Sequence, residues 1–379
     1  MIDDFKKSDP LEAAARRVLR SNFEAASLVD DPDISARHSP IHKFKHIPPK
    51  FRNRDFHIFK YIITYIIYVR YVRKPCPKTH MSKLKLMPSP VKLIAIDIDG
   101  TLLPSTGTVV SERNRRALLD AEASGIQLVI ATGRRQAYTI PLIHPIGLKP
   151  ETVMITSNGT VTRTLGGERI DRFFLPIETA RELCPVLRQF GGTTVFTFDH
   201  EGPGELILES LDQLHARIAA WVEANRPWII EVRPLERAFD QGEPPVQAMV
   251  CGTVEGMRQA ETWLASSELS RKIELHRTEY PTRNLAILDI LPPGCSKGVS
   301  LRRLAQTRGI DPAGIMAIGD NFNDLEMLEF AGQPVVMANA APDLVRIAQK
   351  RGWQLAATND QDGVAQVIES VVEGMGVQS

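Results

Sequence analysis

Cysteine is scarce in this chain. Only Cys76, Cys184, Cys251 and Cys295 occur among 379 residues, and no two of them form a CxxC pair. That scatter argues against a zinc ribbon or a disulfide framework and fits a reducing cytoplasm. Charge imbalance is lacking too: 46 Lys and Arg face 45 Asp and Glu, a formal net charge of +1. No overall field therefore draws the chain to nucleic acid or to a membrane. Long apolar runs are absent. The most membrane-like stretch, residues 58–72 (IFKYIITYIIYVRYV), carries Lys60 and Arg70. Its uncharged part, residues 61–69, falls well short of the ~20 residues that span a bilayer, and a surface-lying basic amphipathic helix fits it better. There is no internal repeat and no low-complexity tract. The acidic, polar start MIDDFKKSDP does not read as a secretory signal.

A hydrophobic content of 43% is that of an ordinary soluble globular protein, and the length allows two domains plus an extension. Residues 1–90 differ in texture from the rest. Residues 41–85 hold twelve Lys or Arg against a single acid, Asp55, together with four of the six tyrosines and repeated prolines. Three readings fit: a poorly ordered extension, sequence upstream of a natural start at Met81 or Met87, or a basic docking arm for anionic lipid or nucleic acid.

Beyond residue 90, two carboxylate clusters stand out. Asp97-Ile98-Asp99-Gly100-Thr101 comes directly after the apolar run 91–96, which only Lys92 interrupts. Gly319-Asp320-Asn321-Phe322-Asn323-Asp324 comes directly after the apolar run 315–318. Each run reads as a buried parallel strand, so each cluster sits at a strand's carboxyl end, where open α/β sheets place their ligands. Four carboxylates converging there repel one another unless a cation joins them. Hard oxygen donors with few Cys or His nearby point to Mg²⁺.

The alternation of strands (91–96, 127–131, 152–156, 284–290, 315–318, 334–337) with helices (111–124, 135–143, 297–308, 324–331, 342–350) predicts a parallel sheet covered by helices on both faces. Ser111 is placed as an N-cap, and Asn158-Gly159 as a turn. Between them, residues 173–282 mix helices (177–190, 211–223, 255–267) with short strands (193–198, 206–208, 246–251, 272–276). That texture suggests a separate α+β unit inserted into the first domain.

In Asp-x-Asp-Gly-Thr, Asp97 can attack phosphorus while its other oxygen binds a metal. Asp99, two residues on, is placed to protonate a leaving alcohol and then to deprotonate water. Gly100 lets the chain turn, and Thr101 can hold the turn by hydrogen bonds. Thr132-Gly133-Arg134, after the second strand, offers a hydroxyl and backbone amides that suit a phosphate oxygen, although a plain N-cap also explains it. Lys297 opens a helix, where its charge opposes the dipole, which hints at an anionic partner. Asp320 is a candidate direct metal ligand, Asp324 a candidate to orient metal waters or Lys297, and Asn323 a candidate phosphate donor. A calcium-binding EF-hand is ruled out by its spacing and by the missing closing glutamate. Arg134, Asn158, Arg283 and Asn284 lie near motifs or hinges as further candidates.

These four pieces, in this order and strand context, resemble the haloacid dehalogenase (HAD) superfamily over about residues 91–372. The 164 residues between Thr132 and Lys297 resemble the Cof-type subgroup, with its type IIB α/β cap between motifs two and three. The resemblance implies a three-layer Rossmann-like α/β core (91–172 and 283–379) and an α+β cap (173–282). It implies Asp97 as nucleophile, Asp99 as general acid/base, and Thr132, Gly133, Lys297 and Asn323 as phosphate binders. It also implies Mg²⁺ held by Asp97, Asp320 and the Asp99 carbonyl, with Asp324 behind them. Members are mostly phosphatases of sugar phosphates, nucleotides, flavin mononucleotide or pyridoxal phosphate, so the expected partner is a small phosphorylated metabolite, with no nucleic acid and no membrane span. A phosphohexomutase and a non-catalytic phosphate-binding protein are the alternatives. P-type ATPases carry Asp-Lys-Thr-Gly-Thr and many spans, unlike this chain. The extension over 1–90 and the proline-rich 290–295 depart from the family pattern, and oligomeric state is left open.

Overall fold

A computed structural model describes residues 90–211, 218–240 and 242–376, all within one compact unit, Leu86–Ser379. The extension, apart from Pro90, and the tyrosine-rich stretch 58–72 lie outside the described residues. Among the described residues, no helix is long and apolar enough to cross a membrane.

The apolar runs form strands because their side chains are buried on both sheet faces. In β1 (Leu93–Ile96) all four residues are buried: Leu93 and Ala95 pack into one cluster and Ile94 and Ile96 into another. The strands β2 (Gln127–Ala131), β3 (Val153–Thr156), β12 (Ile315–Gly319), β13 (Gln333–Met337) and β14 (Gln354–Ala356) join it. The order β14-β13-β12-β1-β2-β3 is parallel throughout. Helices α1 (Glu112–Ala123), α2 (Gln136–Ile143) and α9 (Gly363–Gly376) cover one face through Leu118, Ala121, Ile143, Val364 and Ile368. Helices α6 (Lys297–Thr307), α7 (Leu325–Phe330) and α8 (Pro342–Arg351) cover the other through Leu301, Met327 and Leu344. Ser111 caps α1 as predicted, its hydroxyl accepting from Asn114 N at 3.1 Å.

The parallel sheet carries an antiparallel addition at one edge. There, β4 (Val161–Thr164) and β5 (Arg169–Arg172) add antiparallel strands beside β3. Only residues 157–160 separate β3 from β4, too few for the crossover a parallel neighbour requires.

A second sheet has the order β10-β11-β9-β6-β7-β8. Its strands are β6 (Thr193–Thr197), β7 (Leu206–Leu208), β8 (Ile229–Glu231), β9 (Gln247–Gly252), β10 (Glu274–Tyr280) and β11 (Leu285–Leu291). Helices α3 (Ile177–Arg188) and α5 (Val254–Ser266) pack Leu183, Leu187, Met257 and Leu264 against one face. The other face carries Val195, Leu206, Cys251, Leu285 and Ile287 beside Val222 of α4 (Ala219–Asn225).

A correction concerns β11. The alternation of strand and helix places its run in the first sheet, with the boundary at 283. It pairs antiparallel with β10 and β9 instead, so the second sheet ends at Leu291. An apolar run names no sheet. The hairpin signal lies in the four residues 281–284, which end at Asn284 in the left-handed region (φ 42°). The sequence pattern also marks no element beyond residue 350, where β14 and α9 complete the first sheet and its cover.

Candidate active site

The site lies where β1, β2, β3 and β12 end side by side. Asp97 N donates to Ile318 O (3.0 Å), extending the ladder one residue and seating the Asp97 side chain beside the β12 end. The chain then turns at Gly100 (φ +78°), where a Cβ would lie 2.2 Å from Asp320 Oδ2. Only glycine meets both demands. Thr101 does more than brace its own turn: its hydroxyl reaches Asp320 Oδ1 at 3.3 Å and links the two carboxylate clusters.

Lys297, the first residue of α6, is 1% exposed and donates to Asp97 Oδ1 and Asp324 Oδ1, each at 2.7 Å. Helix α6 sits close to α7 because a Cβ on Gly298 would lie 2.5 Å from Glu326 Cβ. Asp324 is fully buried, and its Oδ2 accepts from the backbone N–H groups of Asp320 and Asn321, both at 3.1 Å. With one oxygen held by Lys297 and the other by two amides, Asp324 is committed to holding the loop and the lysine.

Asp97, Asp320 and Asp324 each offer a carboxylate oxygen within 4.8 Å of the others. Three carboxylates therefore crowd together beside one ammonium, which bonds two of them. Burial, then the charge of Asp324, raises Asp97 well above its ordinary pKa despite Lys297. Burial and Asp324 raise Asp320 to about 7. Burial opposes the charge on Lys297, but Asp324 and Asp97 outweigh it and raise its pKa. A cluster in this state is short of positive charge, and its hard oxygen donors fit a divalent ion such as Mg²⁺.

The Asp99 carboxylate is not in that cluster. Its side chain is 54% exposed, and the Arg134 fork grips it through Nε (2.7 Å) and one terminal nitrogen (2.5 Å). Thr132 is fully buried after β2, its hydroxyl oxygen accepting from Arg134 N at 3.1 Å, which leaves the hydroxyl proton to be donated elsewhere. Asn323 donates its amide to Asn158 Oδ1 at 3.1 Å. Asn284 accepts from Val254 N at 3.2 Å, a structural contact at the start of α5.

Sequence reasoning misses two groups. Asn339 Nδ2 donates to Gly100 O (2.7 Å) and braces the first turn. It follows β13, and the rule that ligands gather at strand carboxyl ends could have found it. Asp289 accepts from Asn158 Nδ2 (3.1 Å), a contact that stays hidden while its strand is assigned to the wrong sheet.

Known proteins resemble this chain in sequence and fold. Residues 94–368 match the model of the haloacid dehalogenase-like hydrolase family, and the chain belongs to that family. It is 30% identical over 301 residues to 5-amino-6-(5-phospho-D-ribitylamino)uracil phosphatase YwtE of Bacillus subtilis, covering 75% of this chain and 99% of that one. It is 30% identical over 264 residues to the HMP-PP phosphatase of Escherichia fergusonii, covering 67% and 86%. A haloacid dehalogenase-like hydrolase from Bacteroides thetaiotaomicron superposes with a TM-score of 0.61 at 28% identity, covering 74% of this chain and 99% of that structure. The chain is thus a hydrolase whose relatives include named phosphatases.

Proposed function

We propose that this chain is an Mg²⁺-dependent phosphatase of small phosphomonoesters, of the sugar phosphate, nucleotide, flavin mononucleotide or pyridoxal phosphate class, working through an aspartyl-phosphate. The observation that carries this reading is the convergence of Asp97, Asp320, Asp324 and Lys297 at the ends of β1 and β12. Asp97, Asp320 and the Asp99 carbonyl would hold Mg²⁺, which when bound neutralises charge on the phosphoryl oxygens. The chain's own groups do the rest. A carboxylate oxygen of Asp97 attacks phosphorus in line as the ester P–O bond breaks. Asp99, once released from the Arg134 fork and protonated, gives its proton to the departing alcohol oxygen, then takes one from the water that cleaves the acyl phosphate and returns Asp97. Thr132, Gly133, Lys297 and Asn323 bind the phosphoryl oxygens.

The names of the relatives support the substrate class: a phosphoribityl-aminouracil and HMP-PP are both small phosphorylated molecules. Residues 173–291, which carry the second sheet, are the proposed cap that selects the alcohol part. The buried free thiols of Cys184, Cys251 and Cys295 support a reducing, cytoplasmic setting.

The test is purified protein with Mg²⁺, an aryl phosphate and a panel of phosphorylated metabolites, with released inorganic phosphate as readout. Turnover that vanishes in Asp97→Asn and on chelation is the expected result. A fully active Asp97→Asn variant refutes it. A hexose phosphate isomerised without release of phosphate would establish the mutase alternative.

A further inference from the structure

Asn158 occupies a junction that neither carboxylate cluster explains. It is 1% exposed and sits in the left-handed region (φ 54°), with its backbone N donating to Thr132 O at 3.1 Å. Its side chain lies against the second motif, since a Cβ on Gly133 would be 3.0 Å from its Oδ1. That Oδ1 accepts from Asn323 Nδ2 (3.1 Å), and its Nδ2 donates to Asp289 Oδ2 (3.1 Å). Three side chains thus form a line from the second sheet, through the loop after β3, to the loop after β12.

An amide group is nearly symmetric in shape but not in chemistry: one end only donates, the other only accepts. What decides which end faces Asn323 is the partner at the far side. The Asp289 oxygen that faces Asn158 accepts, so it fixes the NH₂ of Asn158 toward itself and the oxygen toward Asn323. Asn323 spends one N–H on that oxygen, and its second N–H is set in direction by the first. Were Asn158 turned over, two NH₂ groups would meet, and Asn323 would be driven from its place.

Asp289 is an odd choice for stability alone. Its strand is otherwise apolar, and Ala286, Leu288 and Ile290 pack toward the helices while Leu285 and Ile287 share its own face. The backbone of β11 is paired on both sides whatever side chain stands there. Burial raises the Asp289 carboxyl to about 7, the mark of a group the fold would hold more easily uncharged or replaced by an apolar one.

We propose that Asp289 is a positioning residue for the phosphoryl site: by accepting from Asn158 it fixes that amide's orientation and, through it, the aim of Asn323 at the phosphate. Placement of the second sheet and affinity for phosphate are thereby linked through one side chain. This role rests on the phosphatase reading and adds to it a residue outside the four motifs.

The test compares wild type, Asp289→Ala, Asp289→Asn, Asn323→Ala and the double Asp289→Ala/Asn323→Ala protein, each with Mg²⁺. The readouts are kcat and KM for an aryl phosphate, Ki for inorganic phosphate, and the thermal midpoint. Asp289→Ala is expected to raise KM and Ki about tenfold, the effect of one lost hydrogen bond to a charged group, with kcat altered far less. Its thermal midpoint should be unchanged or higher. Asp289→Asn, which can still present a carbonyl oxygen to Asn158, should recover most of the loss. The double variant should be no worse than Asn323→Ala, because both changes remove one effect. If wild type turns over and losses in Ki add in the double variant, or Asp289→Ala leaves Ki unchanged, the positioning role is wrong. If wild type neither hydrolyses the ester nor binds phosphate, the functional reading fails and this proposal with it.

Discussion

Replacing Lys297 by methionine removes the ammonium that holds two of the buried carboxylates. That group is 1% exposed and bridges Asp97 and Asp324, whose side chains are 6% and 0% exposed. Breaking such a buried pair on one side costs about 3–5 kcal/mol, a large share of the roughly 5–15 kcal/mol that holds a domain together. The loss should depend on pH in a defined direction. Burial and Asp324 already hold Asp97 well above the ordinary carboxylate range, and without Lys297 it rises further. A carboxyl whose folded pKa exceeds its unfolded one lets the folded state hold more protons in the window between the two. Stability is then fully present below the unfolded pKa and is lost as pH rises through the folded one. Urea denaturation of metal-free Lys297→Met should therefore show a smaller deficit against wild type at pH 5 than at pH 7.5. Mg²⁺ should recover part of the deficit at pH 7.5 by supplying the missing positive charge. Turnover should fall roughly 10²–10³-fold, as when one preorganised electrostatic group is removed. A deficit under about 1 kcal/mol at both pH values, or one larger at pH 5, would refute the reasoning.

Three further outcomes are expected. Because Asp320 is held at about 7, a divalent ion has to displace a proton below that pH. Apparent Mg²⁺ affinity should fall about tenfold for each unit of pH below it, with proton release visible by calorimetry in two buffers of different ionisation enthalpy. Gly100→Ala puts a methyl 2.2 Å from Asp320 Oδ2 at a backbone angle that disfavours it. Metal titration of that variant should show affinity reduced by about tenfold or more, the scale on which misplaced metal surroundings act. Arg135 and Glu205, each with a side chain 7% exposed, pair at 2.7 Å between the loop after β2 and the second sheet's region, and Arg135 also donates to Asn225 Oδ1 at 2.6 Å. Arg135→Met alone should cost about 3–5 kcal/mol in chemical denaturation, and Arg135→Met/Glu205→Leu much less, because the second change removes the stranded carboxylate.

The first sheet was legible because its strands announce themselves twice, as short apolar runs and as runs that end in chemistry. The run 91–96 ends in Asp97, 127–131 in Thr132, and 315–318 in Gly319-Asp320. The side chains at those ends meet because parallel strands put all their carboxyl ends on one edge. What failed to show was anything that depends on partner choice. The run 285–291 alternates between two buried faces, so nothing in it says which sheet it joins. The hairpin β4–β5 is mostly Thr and Arg, and its lone Val161 and Ile170 give no apolar signal strong enough to stand out. Asp99 reads as an equal member of the acidic cluster, yet one residue of chain separates it from Asp97, and its carboxylate emerges toward Arg134 instead. Asn158 was visible as a turn residue. Its links to Asn323 and Asp289 span 165 and 131 residues, and no local pattern carries that information.

The central claim is that Asp97 and Asp320 grip one divalent ion beside Lys297. Crystals grown with Mn²⁺ in place of Mg²⁺ address it directly through the anomalous signal of the bound metal. A single strong peak is expected within ~2.0–2.3 Å of a carboxylate oxygen from each of Asp97 and Asp320. A peak elsewhere, or none at a saturating Mn²⁺ concentration that supports turnover, would contradict it.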